Sequence, residues 1–245
     1  MHQFFIEDHQ IGKEYVTITG RDVNHIKNVL RMRPGEKIRV SSSSGRDFFC
    51  EIAELGDAFV QADILDGEVP KTELSARIYL FQALPKGERM EYVIQKAVEL
   101  GVYEIIPVEM KYCVMKLDEK RAEKKLKRWQ AISESAAKQS KRSLIPRIHP
   151  VMNYAEALEY AGSCDVRLVP YENERGMQAT ADALQKLKSA GSVSIFIGPE
   201  GGFSPEEIAA AGQNMDVISL GRRILRTDTA AICAMSLVML TLEDA

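Results

Sequence analysis

A carboxylate, Glu200, stands among Gly198, Gly201 and Gly202 in the stretch SIFIGPEGGFSPEEI, Ser194 to Ile208. Glycine-rich turns between a strand and a helix commonly offer backbone N–H groups to a phosphate. The acid reverses that expectation, because it repels a pyrophosphate at close range. Neither GxxxxGK[ST] nor GxGxxG occurs, so a P-loop and a Rossmann dinucleotide site are both disfavoured. A cationic ligand without phosphate fits better. S-adenosylmethionine has a sulfonium and no phosphate, and its adenine suits the backbone amides and carbonyls of a glycine-rich loop. A second loop, LGRRILRTDTAA from Leu220 to Ala231, brings Arg222, Arg223 and Arg226 together. Clustered arginines suit the phosphates of a nucleic acid strand. They would serve equally to brace the loops by pairing with Glu172, Glu200 or Asp228. Ile224 and Leu225 are apolar inside this basic loop, as the wall of an adenine pocket would be.

The elements that must position these loops alternate along the chain. From Leu74 the strands ARIYLFQAL, EIIPV, DVRLVPYE, SVSIFI and DVISLG are interleaved with helical segments. That rhythm predicts a largely parallel sheet covered on both faces, with ligands in the loops beyond the strand C-termini. Gly101 closes the helix ERMEYVIQKAVEL in the position where glycine accepts φ > 0. Ser204, Pro205 and Glu207 spell a capping box with proline at the first helical position. Thr227 or Asp228 is available to cap the last helix, DTAAICAMSLVMLTL. The first 70 or so residues read differently, as short β-strands (EYVTITG, KIRVSSSSGRDFFCEIAEL, AFVQADIL) around one helix. In that helix, RDVNHIKNVLRM, the spacing places Val23, Ile26, Val29 and Leu30 on one face, with Pro34-Gly35 as the stop. DGEVPKTE, Asp66 to Glu73, reads as a linker between the two parts.

The chain of 245 residues carries a net charge of −3, which taken alone argues against a nucleic acid partner. The distribution of charge argues the other way. Arg21 to Arg46 holds seven Lys/Arg against two acids, and Lys111 to Arg147 holds twelve against four. Two basic segments in an acidic chain present local fields to a polyanion, although a run such as KRAEKKLKR is also what a solvated helix face looks like. Cys50, Cys113, Cys164 and Cys233 are scattered, and His2, His9, His25 and His149 lack metal-ligand spacing. Reduced thiols, no metal and a cytoplasmic location are expected. No run approaches the ~20 apolar residues of a membrane span, and MHQFFIEDHQIG lacks the features of a signal peptide.

Taken together, IGPEGGFSPEEI and LGRRILRTDTAA closely resemble the SPOUT superfamily of knotted S-adenosylmethionine-dependent RNA methyltransferases, and within it the RsmE type. HIKNVLRMRPGEKIRV, LPKGERMEYVIQKAVELGVYEIIPV and ESAAKQSKRSLIP extend the likeness over nearly the whole chain. The resemblance implies a PUA-like β-barrel over residues 1–72 and a C-terminal trefoil-knotted α/β domain with a mostly parallel sheet over 73–245. It implies an obligate homodimer that methylates N3 of a uridine in 16S ribosomal RNA of the small ribosomal subunit, without a metal. On matching positions, Val169, Ile197, Gly198 and Gly202 would surround the cofactor, with Leu220, Gly221, Ile224 and Leu225 opposite. Arg226 and Glu200 would lie near the transferred methyl as catalytic residues. Arg31, Arg33, Arg142, Arg222 and Arg223 would hold RNA. The chain departs from the family pattern at Gln3, where an N-terminal Arg-aromatic-Phe would be usual, at Asp228 in place of Glu, and at Lys138 in place of an acid.

N3 of uridine is a weakly acidic imide, so its proton must leave before it attacks a sulfonium methyl in line. No histidine lies in these loops. Arg226, oriented by Glu200 or Asp228, is expected to stabilise the uridine anion or a nearby phosphate. The rival readings are another RNA or ring position, an RNA-binding assembly factor without catalysis, and a dinucleotide enzyme.

Overall fold

The computed structural model describes residues 1–65 and 72–243, so most of the expected linker lies outside the described residues. The chain divides into two compact units, Met1–Glu73 with Ala137–Ile145, and Leu74–Ala136 with Pro146–Ala245. A cut at residues 72–73 therefore leaves out a nine-residue segment that packs with the first unit.

The first unit is a five-stranded sheet of β1 (His2–Ile6), β2 (Tyr15–Thr19), β3 (Lys37–Ser42), β4 (Asp47–Leu55) and β5 (Phe59–Ile64), in the order β1-β3-β4-β5-β2. β1 runs parallel to β3, and the other pairs are antiparallel. Its core gathers Phe4, Ile18, Ile26, Ile38, Ile52 and Val60. The expected helix stops early. α1 (Arg21–Asn24) passes into a π-helical turn over His25–Val29, where the Leu30 N–H donates to the His25 carbonyl at 2.8 Å. The wider turn rotates Val29 off the apolar stripe, leaving it 61% exposed, while Val23 and Ile26 remain buried. The chain then leaves the helix at Arg31, with φ of 54°, three residues before the proline.

Part of the basic character of this unit is internal. Arg39 is buried and paired with Asp47 at 2.9 Å. Arg142 was expected to touch RNA, and the structure overturns that expectation. It is 3% exposed and ion-paired with Glu73, whose Oε1 accepts from Arg142 Nε at 3.2 Å and from the Ser143 N–H at 2.8 Å. A guanidinium enclosed in this way braces its own unit. Arg31 and Arg33 remain exposed. Gln3 is buried, donating to Ser41 Oγ and to the Arg142 carbonyl.

The second unit is built on a wholly parallel sheet. Its strands are β6 (Arg77–Ala83), β7 (Val102–Glu109), β8 (Arg147–Ile148), β9 (Met152–Asn153), β10 (Val166–Pro170), β11 (Ser192–Ile197) and β12 (Asp216–Ile218). The order is β12-β10-β11-β6-β7-β8, with β9 also on β7. β11 is buried from Val193 to Ile197, as befits a strand covered on both faces. On one face α2 (Arg89–Glu99), α5 (Gln178–Leu187) and α7 (Thr227–Glu243) pack on one another. On the other, α4 (Tyr154–Ala161) brings Tyr160 and Tyr154 edge-on to Phe81 and Phe196, which stack at 4.3 Å. α4, β8 and β9 had no sequence expectation. They are short, and the segment holds too few apolar repeats to declare a period.

The basic helix α3 (Glu119–Ser140) is anchored by the buried Trp129. Several of its cations are matched locally, Lys127 by Glu123 at 2.7 Å and Arg128 by Glu91 at 2.7 Å. Much of that charge run is therefore a solvated, self-paired face. Cys50, Cys113 and Cys164 are buried, and burial pushes the Cys50 thiol up to about 12; Cys233 is exposed.

At the edge of this sheet Glu104 accepts hydrogen bonds from His149 Nε2 and the Tyr160 hydroxyl, both at 2.7 Å. Burial pushes its carboxyl up, but the two hydrogen bonds outweigh burial and hold it below the ordinary 4.5. A carboxyl lowered on folding stabilises the fold above about 4.5, and that contribution is lost as pH falls through the lower folded value. Denaturant unfolding of the wild type and Glu104→Gln between pH 6 and pH 3 checks this. The acid-side decline in stability is expected to be shallower in the variant.

Candidate active site

The strand order brings the C-terminal ends of β12, β10 and β11 side by side, with β6 and β7 following. Loops leaving adjacent parallel strands are neighbours, and ligands of such sheets sit among them. Here the loops after β10, β11 and β12 enclose a cavity of about 250 Å³. The loops after β11 and β12 are expected from the sequence, and the strand order explains why they meet.

The loop after β11 ends in the capping box read from the sequence. Ser204 Oγ accepts from the Glu207 N–H at 3.2 Å, Glu207 Oε2 accepts from the Ser204 N–H at 2.8 Å, and Pro205 opens α6 (Pro205–Ala211). Glu207 also reaches outward, its Oε1 accepting from the Lys111 N–H at 2.8 Å. Beside it, the hydrogen bond with Ser204 and the Lys111 ammonium hold the Glu206 carboxyl down to about 2. The start of α6 is thereby fixed to the chain beyond β7.

The three glycines have different reasons. A Cβ on Gly198 would sit 3.0 Å from the Phe203 ring, and one on Gly201 would sit 2.9 Å from the Cβ of Tyr112. The protein's own packing accounts for both, which narrows the expectation that all three serve a ligand. Gly202 alone has positive φ, +74°, and a Cβ there would lie 2.7 Å from Glu172 Oε1. The backbone of Gly202 thus meets the cavity with a carboxylate beside it.

Glu200 lines the cavity, but its partners do not. Its Oε1 accepts from Arg89 Nη1 at 2.7 Å and from the Lys86 N–H at 3.0 Å, both contributed by the chain after β6. Asp228 Oδ1 accepts from the Thr229 N–H at 3.1 Å. The expected orientation of Arg226 by either carboxylate is therefore not what the structure adopts. Among the described residues Arg222, Arg223 and Arg226 form no ion pair, so the arginines do not brace the loops either. Arg223 and Arg226 line the cavity, and Arg222 is exposed outside its wall.

Thr227 plays a part other than the expected cap. The Ala230 N–H donates to the Arg226 carbonyl at 2.8 Å, and Thr227 is already the first residue of α7. Its buried hydroxyl donates to the Gly198 carbonyl at 2.7 Å and accepts from Gln82 Nε2 at 2.9 Å. No sequence signal distinguishes this threonine from the capping residue it resembles.

Of the eight residues expected around a cofactor, all but Val169 line the cavity. Val169 is fully buried in β10 opposite Val217, and Pro170, Tyr171 and Glu172 face the cavity instead. Ile197, Leu220 and Leu225 offer apolar wall for a flat ring, while Ile224 is 87% exposed at its edge. Glu172, which has no ion pair among the described residues, offers a negative charge. An uncharged aromatic ring joined to a cation fits the apolar wall and Glu172.

Comparison with known proteins agrees with that chemistry. A family model described as an RNA methyltransferase domain matches residues 72–239, and one described as an RNA methyltransferase PUA domain matches residues 18–65. Ribosomal RNA small subunit methyltransferase E of Bacillus subtilis (strain 168) is 35% identical over 248 residues, covering 97% of this chain and 96% of that protein. The enzyme of the same name from Mesomycoplasma hyopneumoniae (strain 232) is 36% identical, covering 95% of this chain and 96% of its own. Among solved structures, a ribosomal RNA small subunit methyltransferase E from Neisseria gonorrhoeae bound to S-adenosyl methionine superposes with a TM-score of 0.85 at 32% identity, covering 98% of this chain and 97% of that one. The chain belongs to the family of ribosomal RNA small subunit methyltransferase E, an RNA methyltransferase domain preceded by an RNA methyltransferase PUA domain.

Proposed function

We propose that the protein transfers the methyl group of S-adenosylmethionine to N3 of a uridine in 16S ribosomal RNA of the small subunit, acting in the cytoplasm as a homodimer with its C-terminal loops knotted. The observation that carries the reading is the cavity itself, where apolar walls, a carboxylate without a cation and two arginines without acids share one space. When bound, the cofactor supplies an electrophilic methyl on a sulfonium. Ile197, Leu220, Ile224 and Leu225 would hold its adenine, with the backbone of Gly198, Gly202 and Gly221 against it.

The remaining work belongs to the chain. N3 must lose its proton, and the resulting anion needs a positive partner that does not have to be pulled away from an acid first. Arg226 meets that condition, since no carboxylate pairs with it among the described residues. A preorganised cation of this kind lowers the barrier without reorganisation at the moment of reaction. Arg222 and Arg223 would take phosphates flanking the target base. Arg31 and Arg33, exposed in the first unit, would add contacts to the strand. The target base must be unpaired or extruded, because N3 lies inside base pairing.

Labelled S-adenosylmethionine with undermethylated 30S particles, 70S particles or free RNA, followed by mapping of the product, tests the reading. Label on uridine N3 is expected, and label on another base or none overturns it. Arg226→Ala is expected to lower kcat by about 100-fold or more while leaving cofactor affinity close to wild type. Calorimetric titration beside single-turnover kinetics separates the two effects. Arg31→Ala with Arg33→Ala is expected to weaken RNA binding alike across sequences. It should reduce the slope of log K against log salt by about 1.4, at ~0.7 per single-strand phosphate contact.

A further inference from the structure

Arg89 is placed against ordinary helix electrostatics. It is the first residue of α2, where the helix dipole disfavours a cation, and its guanidinium points to Glu200 at 2.7 Å. Glu200 is two-thirds or more buried at its side chain and receives a second hydrogen bond from the Lys86 N–H. The cavity wall holds Glu172, Glu200, Arg223 and Arg226, whereas Arg89 lies outside it. Glu200 thus shares the cavity wall with Arg223 and Arg226, while its ion-pair partner stands outside it. The contact with Arg89 draws the carboxylate to that outer cation, and Arg226 keeps its charge free for the reacting base.

We infer that Arg89 is a positioning residue for methyl transfer, fixing Glu200 on the chain after β6 so that Arg226 stays unneutralised in the cavity. This rests on the methyltransferase reading above. Without Arg89 the cations that share the cavity wall with Glu200 are Arg223 and Arg226, and the same acid becomes an inhibitor of the site. Lys86 contributes a backbone N–H, which persists in any side-chain variant, so substitution at 89 removes the Arg89 contact alone. The pair is part-exposed at the surface, so its removal touches the site far more than the stability of the fold.

The test is a double-mutant cycle on Arg89 and Glu200, reading kcat, KM for S-adenosylmethionine and thermal unfolding. Arg89→Ala is expected to lower kcat by about tenfold or more, with KM and unfolding temperature nearly unchanged. Arg89→Lys should recover most of that loss. Adding Glu200→Gln to Arg89→Ala should restore most of the lost kcat, because the carboxylate that would neutralise Arg226 is then gone. Wild-type kcat in Arg89→Ala, or a double variant whose kcat does not recover, would overturn the inference. If alanine at 89 compromises folding, Arg89→Gln carries the same cycle with the same criteria. A wild-type protein that transfers no methyl group overturns the parent reading, which these outcomes keep distinct from failure of the Arg89 assignment alone.

Discussion

The hydroxyl of Thr227 ties the two arms of the site together. It donates to the Gly198 carbonyl at the end of β11 and accepts from Gln82 on β6, while its backbone begins α7. Gly198 is half-buried, and this hydrogen bond to its carbonyl is worth about 1 kcal/mol. One buried oxygen thus joins the start of α7 to the ends of β11 and β6.

Around that link the structure distributes charge with some economy. Glu206 and Glu207 are occupied by Lys111 and by the capping box, and Glu200 by Arg89 and Lys86. What remains unpaired on the cavity wall, among the described residues, is Glu172 with Arg223 and Arg226. Glu172, Arg223 and Arg226 are exposed, so each stays charged and solvated and is available for a job. In the proposed reaction each has one, since the cofactor is a cation and the activated base an anion. The chain thus separates two charges that would otherwise cancel, and it does so with partners that stand outside the cavity.

How much of this was legible beforehand depends on the kind of signal. The five main strands of the second unit announced themselves as apolar runs, and the capping box at Ser204 and Glu207 is a local pattern whose meaning does not depend on tertiary context. β1 was missed because His2–Ile6 is short and pairs with β3 some thirty residues away. Val29 was assigned to the core by a 3.6-residue period that the π turn breaks. The arginines were identified as a cluster, but a list of basic residues does not say which of them find acids inside the fold. Arg142 and Arg39 do, and Arg226 does not. Glu200 was read as a partner of Arg226 because the two loops were rightly brought together, while Arg89, more than a hundred residues earlier, had no visible tie to either. Pairings of this kind follow from strand order, and strand order is not written locally.

The central claim is that the cavity beside Gly202 receives S-adenosylmethionine. Calorimetric titration of that cofactor into the wild type and Gly202→Val tests it most directly, because valine at φ of +74° would strain the backbone and meet the Glu172 carboxylate. The account predicts one site per chain in the wild type and a loss of binding in a variant that remains folded. Undiminished binding by folded Gly202→Val, or no binding by the wild type, would contradict it.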